Sequence, residues 1–179
     1  ASSPSSIRNG SAATPLPRTV ADVTQMLDRR SPDAAARERF RATLAESLPA
    51  DATPDARLEY HQRQAHAAAS LGLVARVIQE RRRLVALTEG QRNQPKHLID
   101  LAISEMTAGN WSEAEPLARR AAAAQTGWWG QDILALMLLA RMQSWLGDVN
   151  SARTRTDSTE ALFRRAAGHP TALQFSELV

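Results

Sequence analysis

Apolar side chains in this chain recur three and four residues apart, with charged or small residues between them, and almost never alternate. Leu98, Leu101 and Ala102 make one apolar helical face, and Ile99, Ile103 and Met106 make a second at i, i+4 and i+7. Leu134, Met137 and Leu138 repeat the theme, with Trp145 near the end of the same segment. No run of alternating Val, Ile, Thr or aromatic residues bounded by turns marks a strand. The pattern predicts an all-α chain of eight helices, roughly at 19–30, 32–48, 54–71, 73–89, 95–108, 110–125, 129–146 and 148–167.

Local signals support these starts and stops. Thr19 with Asp22, Ser31 before Pro32 and Thr53 before Pro54 each place a capping side chain at a helix entrance. Asn110 followed by Glu113 has the spacing of a capping box, in which each side chain answers the other's unpaired backbone N–H. Gly168-His169-Pro170 stops the last helix and can open a ninth, in the tail TALQFSELV. That tail is apolar at Leu173, Phe175, Leu178 and Val179, which suits packing onto the last pair or continuation into a longer array.

The segments repeat. Gly72, Gly109 and Gly147 stand 37 and 38 residues apart, each between two helical stretches. Five residues after each comes a small or slim side chain, Val77, Ala114 or Ala152, which lets the second helix approach the first. Ser31 and Ala36 keep the same offset 41 residues before Gly72. The segment Ala108 to Ala122, AGNWSEAEPLARRAA, resembles the second-helix motif of the tetratricopeptide repeat: Gly109 in the turn, Trp111 as its aromatic, then Ala114, Ala118 and Ala121. Leu146 to Ala152 is similar but weaker. The resemblance spans roughly residues 17 to 168, and it implies a right-handed solenoid of about four helix pairs. The unit departs from the family's 34-residue length, lacks the Leu-Gly pair of the first helix, mostly lacks the closing proline, and puts His61 and Gln64 at apolar positions.

Composition changes the picture little. Of 179 residues 43% are hydrophobic and only 4% aromatic, which favours closely spaced helices over a thick β core. The longest apolar run, Ile133 to Ala140, is far short of a membrane span. Cys is absent, so neither a disulfide framework nor thiolate metal ligation is expected. A net charge of +3 resting on Arg, with Lys96 the sole lysine, suits a high-GC, bacterial coding sequence better than a nucleic-acid-binding protein. Residues 1–17, rich in Ser, Ala and Pro, read as a flexible linker, 18–168 as the helical domain, and 169–179 as a capping tail or the start of another helix.

Candidate chemistry is sparse. His61 and His66 lie five apart and do not share a helical face, and the sequence holds no HExxH, GxSxG or Gly-rich phosphate loop. Neither catalysis, a cofactor nor a metal is expected. Arg81-Arg82-Arg83, with Arg76 just before, points around its helix rather than along one stripe and reads as a solvated face, though it offers an alternative role in contacting an acidic or nucleic-acid partner. In the Trp128-Trp129 pair, one ring is expected to pack and the other to be exposed.

The expected function is protein–protein interaction: a scaffold or adaptor that binds a protein or peptide segment in the groove of its C-terminal pairs. In tetratricopeptide-like arrays the first helices line the concave surface, so the resemblance places Ile99, Ile103, Met106, Met137 and Trp145 on or near that groove. The family's carboxylate clamp is not expected, because its Lys and Asn positions hold mostly Asp, Gln and apolar residues here.

Overall fold

A computed structural model of the protein describes Thr19, Val20 and residues 33–166. The expected linker, first helix, Ser31 cap and C-terminal tail lie outside the described residues, apart from Thr19 and Val20. The chain divides into two units between Ala36 and Arg37, and the second holds nearly all of the described residues. Seven helices are described: α1 (Ala34–Ala45), α2 (Pro54–Ser70), α3 (Val74–Leu87), α4 (Gln94–Thr107), α5 (Trp111–Ala123), α6 (Trp129–Trp145) and α7 (Val149–Ala166). Among the described residues there is no strand, so the fold is all-α.

Helix ends follow local chemistry. Thr53 caps α2 as its spacing predicts, its hydroxyl oxygen accepting from the Ala56 N–H at 3.2 Å with Pro54 next in the chain. Helix α1 stops at Ala45, sooner than periodicity suggests, because Pro49 disfavours helical geometry at Leu48. The expected capping box at Asn110 does not form. The Asn110 side chain turns back and donates to Glu105 Oε2 at 2.8 Å, leaving no side-chain cap on α5. A buried carboxylate is the stronger acceptor, so it takes the amide that would otherwise serve the helix end.

The three turn glycines adopt one geometry. Gly72, Gly109 and Gly147 have φ of +71°, +85° and +84°, and the N–H of the following residue donates to the carbonyl five residues back at 2.9, 2.8 and 2.9 Å (Leu73 to Ala68, Asn110 to Glu105, Asp148 to Gln143). This Schellman closure satisfies an orphan carbonyl and reverses the chain within three residues. The links 71–73, 108–110 and 146–148 thus make hairpins of α2 with α3, α4 with α5, and α6 with α7.

Each helix from α2 onward also packs on the next, and α4 touches α6 across the intervening helix. Val77, Ala114 and Ala152, five residues past each glycine, are all buried, as close approach of the paired helices requires. The main apolar core belongs to α4, α5 and α6: Leu98, Ile99 and Ala102 meet Ala114, Ala118 and Ala121, and on the far side Ala135, Leu138, Leu139 and Met142. Alanines line the whole buried face of α5, so its neighbours come close without large side chains between them.

Two substitutions test this geometry. Gly109→Ala should destabilise the domain by about 1 kcal/mol, because a Cβ strains the left-handed turn even though the space around it is open. Ala118→Leu should cost about 1–3 kcal/mol by overpacking. Urea midpoints equal to wild type in both would refute the close-packed hairpin description.

Candidate interaction surface

The pair α2–α3 buries polar side chains beside apolar ones such as Ala68, Ile78 and Leu84. Glu80 is completely buried; its Oε2 accepts from His61 Nδ1 at 2.6 Å, and its Oε1 accepts from Arg83 Nη1 at 2.9 Å. Arg76 Nε lies 2.8 Å from the same Oε1 as an ion pair, its N–H not aligned for a hydrogen bond. A carboxylate only accepts, so His61 Nδ1 carries the hydrogen. Nearby Gln64, also buried, donates from Nε2 to the Thr43 carbonyl of α1 at 2.6 Å and accepts from Arg76 Nη2 at 3.4 Å. The Thr43 carbonyl, in the last turn of α1, also accepts from the Glu46 N–H at 3.2 Å, so Gln64 takes its second lone pair and ties α2 to that helix end.

The repeat explains why these residues are polar together. Adding the 37-residue period maps His61 to Leu98, Gln64 to Leu101 and Glu80 to Leu117. Where the next pair has Leu98 and Leu101 buried and Leu117 half-buried, this one has Gln64 and Glu80 buried and His61 half-buried, knotted by Arg76 and Arg83. Sequence patterning flags His61 and Gln64 as misplaced but misses Glu80. The available signal is its spacing of four from Arg76 and three from Arg83, on a position where the next repeat has leucine.

Arg82 and Arg83 are exposed, as a solvated face requires, but all three arginines of the triplet also hold defined partners. Arg81 donates to the Asp100 carbonyl and to Ser104 Oγ, Arg82 pairs with buried Glu105 at 2.6 Å, and Arg83 turns to Glu80. Two of the three therefore tie α3 to α4. Consecutive residues point around the helix, which is why each reaches a different acceptor. His66 packs edge-on against Phe40, with ring centres 5.7 Å apart. Among the described residues no group of three or more His, Asp or Glu could hold a metal ion. A shallow depression of about 460 Å3 is lined by Leu44, Leu73, Val74, Ala75 and Arg76.

The five residues expected at the groove separate into two sets. Ile99, 2% exposed, lies in the core, and Ile103 and Met106 are half-buried against it. Met137 and Trp145 are 49% and 70% exposed on α6. Leu134, Met137, Arg141 and Trp145 fall within about 80° of the α6 circumference at 100° per residue. The opposite side of α6, with Ala135, Leu139 and Met142, is in the core. Trp145 also stacks on Trp111 of α5, ring centres 5.5 Å apart and planes at 13°. Leu146 and Val149 continue the exposed apolar surface past the helix end. Trp111, the aromatic of the repeat-like motif, is thus the half-buried floor beneath an exposed ring. At the other end of α6, Trp128 is exposed and Trp129 half-buried. The Asp132 carboxylate holds the entering loop, accepting from the N–H groups of Thr126 at 2.9 Å and Gly127 at 3.2 Å.

One buried group titrates away from its ordinary range. His97 is 2% exposed with an unpartnered Nδ1, and burial pushes its imidazole pKa down, Lys96 adding to the effect and Asp100 opposing it. The unfolded chain takes up a proton near pH 6.5 that the folded chain resists, so stability present above that pH is lost as pH falls below it. The loss reaches at most about 1.4 kcal/mol per pH unit. Urea midpoints at pH 7.5 and 5.0 should differ less in His97→Leu than in wild type; an unchanged difference would assign the acid sensitivity elsewhere. Glu80→Ala should cost about 3 kcal/mol, since it breaks a buried ion pair and leaves His61 without its acceptor. A loss below about 0.5 kcal/mol in chemical denaturation contradicts the knot's stabilising role.

Compared with protein-family models, curated proteins and solved structures, the chain matches none.

Proposed function

We propose that this protein is an interaction module, a solenoid of tetratricopeptide-like helix pairs that binds a protein or peptide segment through the apolar face of α6 and the helix ends beside it. The observation that carries this reading is the exposed row of Leu134, Met137 and Trp145 on a helix whose other side is core. Large apolar side chains grouped on one face, rather than scattered, mark contact surfaces. Trp supplies a wide rigid anchor, and Met adapts to the shape of its partner. Ile99, Ile103 and Met106 support that surface from beneath.

The buried side chains of Gln64, Glu80 and Glu105 answer other side chains and hold helices together, which supports a scaffold over a catalyst. Contact with an acidic or nucleic-acid partner through Arg81 to Arg83 would have to compete with Asp100, Ser104, Glu105 and Glu80 for the same guanidinium groups.

Met137→Asp and Trp145→Asp should keep the helical circular dichroism spectrum and lose the protein partner that wild type retains at moderate salt. Ile99→Asp should unfold the domain, because it buries an unpaired charge. Retention of the partner by both surface variants would sink the proposal.

A further inference from the structure

The repeat supplies an internal comparison for the apolar face. Gly109 and Gly147 are 38 residues apart, so Ile99 corresponds to Met137 and Ile103 to Arg141. Ile99 is buried because α6 lies across from α4: it shares one cluster with Ala135, Leu138, Leu139 and Met142. Met137 holds the same place on α6 and is half exposed, and among the described residues no helix packs on α6 as α6 packs on α4.

Arg141 adds a chemical condition. It is exposed in the middle of the row, four residues after Met137 and four before Trp145, and has no hydrogen-bond or ion-pair partner among the described residues. Those spacings put it about 6 Å along the helix from each. A wholly apolar partner laid over the row would strip water from the guanidinium and return nothing. A carboxylate offers it a bidentate acceptor. Resting on the interaction reading, we infer that this face docks one amphipathic helix of a partner protein, laid along α6 as α6 lies along α4. Its apolar side carries a Glu or Asp opposite Arg141, with a large apolar residue one turn to either side. Contact from Leu134 to Trp145 corresponds to about 16 Å, or three turns.

The test uses two labelled helical peptides built on Ala and Gln, with leucines one turn on each side of a central Glu or, in its twin, a central Lys. Fluorescence titration of the intact protein should give the Glu peptide a Kd roughly tenfold lower than the Lys peptide. Arg141→Glu should reverse the preference, and Met137→Asp should abolish binding of both. Equal affinities for the twins, a preference that survives Arg141→Glu, or no binding of the Glu peptide overturns the proposal. So does binding seen only when the chain is ended at Gly168, since residues 169–179 would then be the occupant of the face. If the peptides fail while partner capture still depends on Met137 and Trp145, the helix-and-carboxylate proposal falls and the interaction reading stands.

Discussion

The structure depends on the close approach of two helices across a three-residue turn. A left-handed glycine lets the chain reverse, the next N–H closes on the carbonyl five residues back, and a small side chain five residues on sits in the crossing. With so little room between the axes, alanine becomes the main packing residue, as on the buried face of α5. Packing that close leaves little room for bulk in the interior. The largest aromatic rings are accordingly displaced to the helix ends, where Trp111, Trp128, Trp129 and Trp145 are found.

The same backbone unit tolerates two kinds of interior. Between α4, α5 and α6 it centres on an apolar cluster, whereas α2 and α3 combine buried Ala68, Ile78 and Leu84 with a knot of Glu80, His61 and Gln64 secured by arginines. Buried ion pairs of this sort add little net stability over leucines at the same positions, but they are costly to leave half-made. They also link neighbours in register: Gln64 reaches α1, while Arg81 and Arg82 reach α4. The pair α2–α3 is therefore bonded to the helices on both sides of it.

Much of this architecture was legible in the sequence because glycine position and helical periodicity are local properties. The spacing of Gly72, Gly109 and Gly147 and the small residues after them needed only one chain of text. What escaped were partnerships between distant residues. Nothing local to Arg81 and Arg82 says that Ser104 and Glu105 lie across from them, and Asn110 has the spacing of a cap while a buried carboxylate claims its side chain. The apolar surplus of the C-terminal half was legible in the sequence, its placement only coarsely. Periodicity marks α4 as apolar on two faces, but which face α6 covers follows from packing, and that separates buried Ile99 from exposed Met137.

The proposed interaction requires the Met137 face of α6 to be open in the free protein and covered in the complex. Mild peroxide oxidation read residue by residue by mass spectrometry tests this directly, because thioether oxidation follows exposure. In the isolated protein Met137 should oxidise fastest of Met106, Met137 and Met142, with Met142, fully buried, the slowest. Bound partner should protect Met137 and leave the order of the other two unchanged. Slow oxidation of Met137 in the free chain, or equal oxidation with and without partner, would contradict the account.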